Sequence, residues 1–436
     1  MKTLFQGLPW YDGLLYTAMI MMAASTPIHW RLGLLSLLLL IVAAITKNVA
    51  TRHLGNPALD KWSTTALAFM LLYWLIYAIS ALRSENSTLA WSIVSLMLPF
   101  VAFPLIFMLC DLQFLNDKRI RFLFFSLTTI LIVRFIIQFI LYLVKTSDGI
   151  CLEALAHMNF DYIHHNYLSL YNLTAIAFLY TEVTRQRSHR IFQLPIWTLI
   201  LAILILSAYI LFSASRSGMM IWLVVAAMCI CHISFVKRNW IGSIASALIV
   251  TMFIVCSYQM EPGLYNRFLH TLNEMHEGRI GDIRQEMFPC AIEVAKQKPI
   301  TGHGCGDYWE PLYQSYLNHG VNKAFKARYS SHNQYLETWM ATGYIGLTIQ
   351  LFMMLAPLIL AFKKRKGQLI TTLFIVIIGG CIYFESTFGR QMGLLFFCWW
   401  NCVLILYTQT KRFSNTAKPQ LQKSFKHSYR QDKTDA

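Results

Sequence analysis

Hydrophobic and polar positions in this chain fall into long blocks. Apolar runs occupy residues 13–28, 30–46, 64–82, 88–110, 121–144, 166–182, 195–212, 218–236, 241–258, 334–362, 369–386 and 391–409. A helix that crosses a bilayer needs roughly 20 such residues, so the pattern predicts an all-α integral membrane protein with about twelve transmembrane helices. The first run lacks a basic leading region and a small-x-small cleavage site, and reads as a span and not as a removable signal peptide.

The polar intervals are uneven in charge. Basic residues gather in alternate loops: Lys47, Arg52 and Lys61; Lys118, Arg119 and Arg121; Arg185, Arg187 and Arg190; Lys237 and Arg238; Lys363 to Lys366. The intervening short loops hold about one each, such as Arg83 or Arg390. This positive-inside pattern predicts cytoplasmic termini, an even number of spans, and outward loops at 145–165 and 259–333, facing the periplasm of a Gram-negative cell. The net charge of +16 is therefore topological and gives no nucleic-acid reading. Composition agrees: 56% of the 436 residues are hydrophobic, 13% are charged, and the mean hydropathy is +0.48. The expected organisation is one membrane domain over 1–410, with 259–333 as its large outer loop, and a basic cytoplasmic tail over 411–436. That tail suits orientation and contact with anionic membrane lipids.

Ten Cys residues show no metal-ligand spacing. Most lie in or near spans as packing residues. Cys290 and Cys305 fall on the outer side, where a disulfide between them is chemically allowed.

The long loop has internal structure. Ile283, Met287, Ala291 and Val294 recur at helical spacing over 282–298, with Lys298 ending the stripe. Pro289 is expected to kink that helix or delay its start, and Pro299 to stop it. The turn Gly302-His303-Gly304-Cys305-Gly306 superficially resembles a phosphate-binding loop. It follows no strand and opens no βαβ unit, so a dinucleotide site is rejected.

The candidate chemistry lies where this loop re-enters the membrane. Ser330-Ser331-His332-Asn333 is followed by Gly343-Tyr344-Ile345-Gly346. His332 is expected in the first turn of its helix, with Ser331 as N-cap and Gln334 completing a capping box. The positive end of that helix disfavours a protonated imidazole and attracts anions, which suits a general base beside a phosphate. Leu336, Trp339, Gly343 and Gly346 would share its face, the glycines admitting a neighbouring helix. The competing reading is a His at the headgroup boundary beside a packing motif.

Arg216, in Ser213-Ala214-Ser215-Arg216-Ser217-Gly218, stands at an outer end against the charge bias, and a guanidinium fork for phosphate is one reason to place it there. Snorkelling to headgroups is the other. Arg284 in the loop helix fits a solvated face equally well. His165 and Asn166, at the start of another run, are expected to line the same cavity, as are Asn333 and Arg328 beside His332. Adjacent His164 and His165 do not make a metal site, because they do not share a helix face. Arg134 lies mid-span and needs an interior partner. Glu337 and Glu385, near outer ends, can pair with these arginines, as structural ion pairs or equally as functional groups.

Together these residues resemble the O-antigen ligase and polymerase superfamily of membrane glycosyltransferases. The ligase motif is His, then Asn, Ser or Gln, nine residues, and Gly-x-x-Gly. Here it reads His332-Asn333, Gln334 to Thr342, then Gly343 to Gly346. Arg216 matches the family's Arg in a small-residue context, and Arg284 its second Arg, which opens a loop helix ending in a Pro-and-Gly turn. Asn166 to Leu170 looks like the start of the shared membrane region. The resemblance covers about residues 160 to 400. Met220 departs from polymerase patterns that place a Leu four residues after the Arg.

The resemblance implies a GT-C-like fold in the inner membrane and a site facing the periplasm. It implies inverting, metal-independent transfer of a glycan from undecaprenyl pyrophosphate to a sugar hydroxyl of lipid A-core, with no cofactor. His332 would be the general base, and Arg216 and Arg284 would bind the pyrophosphate. Three alternatives remain at this point. A polymerase would use the same donor with another repeat unit as acceptor. A ligase acting on protein such as pilin usually carries more outer-loop sequence. A lipid-linked glycan transporter predicts inverted repeats and mid-bilayer charges, of which only Arg134 is found.

Overall fold

In the computed structural model the described residues are 2–145, 163–213, 215–260 and 283–410. They form helices α1 (Lys2–Phe5), α2 (Trp10–Ser25), α3 (Trp30–Thr51), α4 (Lys61–Leu82), α5 (Ser87–Leu96), α6 (Pro99–Leu109), α7 (Asp117–Lys145), α8 (His165–Val183), α9 (Ile196–Phe212), α10 (Arg216–Cys231) and α11 (Trp240–Met260). The loop region then gives α12 (Arg284–Gln297), α13 (Trp309–Asn318) and α14 (Asn322–Ala327). The chain ends in α15 (Gln334–Lys363), α16 (Gln368–Phe384) and α17 (Gln391–Gln409). The tail 411–436 and much of the outer loops lie outside the described residues.

Each apolar run carries helix, because a backbone surrounded by hydrocarbon must satisfy its own N–H and C=O groups. Seven described stretches are long and apolar enough to cross a membrane by length and composition, and three shorter apolar helices accompany them. The run at 88–110 is two helices, α5 and α6, with Pro99 opening the second.

Two helices form the centre. In α17 every side chain from Gly393 to Thr408 is buried, and α8 is buried from Asn166 to Glu182. A helix apolar on all sides needs neighbours on all sides. Tyr171 of α8 packs on Phe396 of α17, ring centroids 4.5 Å apart, and donates its hydroxyl to the Met392 carbonyl at 3.0 Å. Outer helices turn an apolar face outward instead: Leu35, Leu38, Val42, Ile45 and Val49 of α3 make one exposed stripe. Such a face is stable against lipid and a liability in water.

Ion pairs tie the loops at the end remote from His332. Arg121 pairs with Glu182 and, at 3.2 Å, with Asp117. Glu182 also takes Arg185 at 3.3 Å, and Lys366 lies 3.5 Å from Asp117. Buried charges persist only when paired, and removing one partner of such a set costs about 3–5 kcal/mol. Mid-span, Arg134 donates to the Tyr209 hydroxyl at 3.1 Å and to the Pro27 carbonyl.

Helix α15 is broken at Gly343, whose φ is 69° and ψ −167°. The break frees two carbonyls, and the loop after α12 uses them. His303 N–H donates to Met340 O at 2.8 Å, Gly304 N–H to Ala341 O at 3.1 Å, and Tyr344 N–H to Pro299 O at 2.8 Å. The sequence pattern predicts a neighbouring helix on Gly343 and Gly346; what packs on Gly343 is this loop. A Cβ at Gly343 would stand 2.0 Å from Ile300 O, and one at Gly302 2.5 Å from the Ala341–Thr342 backbone. The room at Gly346 is filled by Thr342 of the same helix.

Candidate functional site

The loop helix forms as its stripe requires. Met287, Ala291 and Val294 of α12 are buried and Ile283 is partly so. Pro289 lies within the helix and does not delay its start. Pro299 follows, and the glycine turn docks on the α4–α5 connection. Cys305 N–H donates to Ser80 Oγ at 2.9 Å, and the Asp307 carboxylate accepts from Glu85 N–H and Asn86 N–H, each at 2.9 Å. Cys290 and Cys305 are buried free thiols, so the disulfide is not formed.

His332 does not sit in a first helical turn. Its φ is 49°, in the left-handed region, and α15 begins at Gln334. The N-cap is Asn333 in place of the expected Ser331: Asn333 Oδ1 accepts from Leu336 N–H at 3.1 Å. Gln334 makes no capping box; its Oε1 accepts from Phe388 N–H at 2.8 Å. A left-handed residue other than glycine is held by its surroundings. Here Tyr313 and Tyr316 of α13 donate their hydroxyls to the carbonyls of Arg328 and Ser330, each at 3.3 Å. Ser331 Oγ bonds Asn333 O at 3.1 Å, and Ser330 Oγ meets Ser386 Oγ at 3.1 Å. The imidazole is therefore set by a pinned strap, with the Tyr329 ring edge-on at 5.6 Å.

That strap points Nδ1 of His332 at Glu385 Oε1, 3.1 Å away. The other carboxylate oxygen accepts from Asn166 Nδ2 at 3.0 Å. Asn166 Oδ1 in turn accepts from Ser215 Oγ and Ser217 Oγ, both at 2.9 Å. Ser215 is the N-cap of α10, its Oγ accepting from Gly218 N–H at 3.1 Å, and Arg216 is that helix's first residue. One continuous chain of hydrogen bonds thus runs from His332 to the turn that carries Arg216. Arg284 enters from the other side, donating Nε–H to the Phe384 carbonyl at 3.1 Å, one residue before Glu385.

The pairing expected for the acids is corrected by this geometry. Glu385 holds His332 and Asn166, not an arginine. Glu337, buried, accepts from Ser386 Oγ. Of the residues singled out from the sequence, His332 and Asn166 join one network through Glu385, Arg216 follows the Ser215 that ends it, Arg284 bonds the backbone beside Glu385, and Asn333 caps the neighbouring helix. His165 stacks on His164 with centroids 4.0 Å apart, within electrostatic reach of Glu385, Arg284 and Arg216. Arg328 is exposed and lies over the Tyr313 ring.

Sequence reasoning missed Glu385 as the partner of His332, and Ser386 and Tyr329 as its supports. A carboxylate and a serine closing an apolar run at the same end as His332 were the available signal. Burial pushes the Glu385 carboxyl up, but the hydrogen bond and charge of His332, with His164 and Asn166, outweigh it and hold the group at about 2. Burial pushes His164 down, and Arg390, His332 and Arg284 push the same way against Glu385. A carboxylate is thereby fixed beside His332, with Arg284 and Arg390 within electrostatic reach of the adjoining His164. Among the described residues no three His, Cys, Asp or Glu side chains converge to hold a metal ion.

The arrangement anchors one nitrogen of an imidazole to a carboxylate, links that carboxylate through Asn166 to the turn before Arg216, and ties Arg284 to the backbone one residue away. A family model described as O-antigen ligase matches residues 201–351, a stretch that holds Arg216, Arg284, His332 and the Gly343 break. A curated protein of Haemophilus influenzae, described only as uncharacterized, is 30% identical over 96 residues, 22% of this chain and 24% of its own. The chain thus spans about a quarter of the length of that relative. The family match falls on residues that carry the motif resemblance: over residues 201–351 the chain is similar to the O-antigen ligase family.

Proposed function

We propose that this protein is an O-antigen ligase. It transfers a glycan from undecaprenyl pyrophosphate to a sugar hydroxyl of lipid A-core on the periplasmic face of the inner membrane. The observation that carries the reading is the His332–Glu385 contact at 3.1 Å, linked through Asn166 to the Arg216 turn. A carboxylate on Nδ1 fixes the tautomer that carries its proton there and leaves Nε2 as the basic nitrogen.

The chemistry follows from these groups. His332 Nε2 takes the proton of the acceptor hydroxyl as its oxygen attacks the anomeric carbon. The bond from that carbon to the pyrophosphate oxygen breaks, and the electron pair leaves with undecaprenyl pyrophosphate. Direct displacement inverts the anomeric centre. Glu385 stabilises the imidazolium formed, and Arg216 and Arg284 stabilise the charge growing on the leaving group. The pyrophosphate supplies the activation, so the site needs neither cofactor nor nucleotide.

In this reading residues 1–410 form one membrane domain of about twelve spans with a GT-C-like arrangement. The loop 259–333 is periplasmic and 411–436 is a cytoplasmic tail. The test is the lipopolysaccharide of a deletion strain. Loss of all glycan-bearing lipid A-core supports the ligase. Core bearing a single repeat unit identifies a polymerase instead.

A further inference from the structure

The strap that sets His332 also sets a cation that the proposed chemistry does not use. Arg328 has φ 49°, again left-handed, and closes the short helix α14. Its guanidinium lies over the Tyr313 ring, 5.2 Å from the centroid, while the hydroxyl of the same tyrosine holds its carbonyl. The side chain is exposed, yet its backbone is pinned and its head is seated on an aromatic face. Among the described residues no carboxylate lies within ion-pair distance of it. The charge of Glu310 reaches Tyr313 without forming that contact.

Its surroundings add charge of the same sign. Lys323 and Lys326 are exposed on α14, and no Asp or Glu occurs anywhere from His319 to Gln334. One residue beyond Arg328, Tyr329 lies against the His332 ring. Exposed cations usually find a partner or move with solvent. Here an arginine is held in a strained backbone, stacked, uncompensated, and next to the reacting histidine. Its planar fork matches phosphate or carboxylate.

We propose that Arg328 is a binding site for an anionic group, phosphate or carboxylate, carried on a saccharide that enters the site. The proposal rests on reading this recess as a glycan-transfer centre. Arg328 touches the substrate away from the reacting atoms, so it governs which saccharide binds and leaves the chemical step to His332. Lys323 and Lys326 add a diffuse, salt-sensitive field around it.

The test is equilibrium binding to the full chain in nanodiscs of zwitterionic lipid. The probes are a short lipid-anchored oligosaccharide carrying one phosphate, the same molecule carrying one carboxylate, and the neutral parent. Wild type should bind the charged forms about tenfold more tightly than the neutral one, as a charge-assisted bidentate contact gives. Arg328→Gln should abolish that preference, and Arg328→Lys should keep only part of it. Transfer assays then locate the anion: Arg328→Gln raises the KM for the acceptor alone, or for the donor alone, at unchanged kcat. Equal affinity of wild type for charged and neutral probes overturns the proposal, as does a preference that survives Arg328→Gln. A wild type that shows the preference and transfers nothing leaves this site standing and overturns the transfer reading.

Discussion

Glu385 lies 3.1 Å from Nδ1 of His332 across 53 residues of sequence, and Asn166 occupies its second oxygen. The carboxylate thus anchors Nδ1 of the imidazole, and in the proposed mechanism Nε2 is the nitrogen that meets the substrate. Glu385→Gln keeps the shape and removes the charge that fixes the tautomer. We expect it to bind lipid-linked donor normally and to lose on the order of a hundredfold or more in transfer rate. Single-turnover transfer with donor binding measured in parallel checks this. A near-normal rate would show that the pair is structural only.

The same carboxyl gives a stability signature. Its folded value of about 2 lies below its ordinary 4.5, so the folded protein binds fewer protons than the unfolded chain between the two. The stabilisation is complete above roughly pH 4.5 and disappears as pH falls toward about 2. Thermal unfolding between these values should therefore depend less steeply on pH in Glu385→Gln than in wild type. Equal slopes would contradict the contact.

Arg216→Ala and Arg284→Ala should each cost about a hundredfold in transfer, the loss expected for one donor to developing charge. Lys at either position should restore only part, because the planar fork is lost. At Arg284 the lysine also forfeits the Nε–H bond to Phe384 O. Normal transfer by both Ala variants at normal expression would remove the pyrophosphate role.

Gly343→Ala tests the break in α15. The new Cβ would meet Ile300 O at 2.0 Å in a backbone with φ 69°. We expect destabilisation of roughly 3 kcal/mol or more and poor recovery from the membrane. Gly13→Ala is the control, since nothing lies within 4 Å of its Cβ position. Equal stability of the two variants would mean that loop 299–304 does not dock on the break.

How much of this was legible follows from which interactions are local. An apolar run of membrane length dictates helix by itself, and the stripe Met287, Ala291, Val294 announced α12 before any neighbour was known. The ends of α10 and α15 were less legible, because caps depend on a few atoms: Asn333 took the role that the pattern gave Ser331. The left-handed turn at His332 had no sequence mark at all, since tyrosines from α13 impose it. His332, Arg216, Arg284 and Asn166 of the candidate site could be named from residue type and context alone. Glu385 was noticed only as able to pair with an arginine, because charge alone allows that partner and only the fold brings it to His332 instead.

The central claim is that His332 is the base, and His332→Ala tests it most directly. His332 precedes α15 and leaves the cap to Asn333, but its loss strips the buried Glu385 carboxylate of one partner, so the change should cost the fold about 1–3 kcal/mol. The measurement is in vitro transfer from undecaprenyl-pyrophosphate-linked glycan to lipid A-core, with expression and donor binding followed alongside. The account predicts a folded variant that binds donor through the arginines and transfers roughly 100- to 10,000-fold more slowly. A folded His332→Ala protein with near-normal turnover would contradict it.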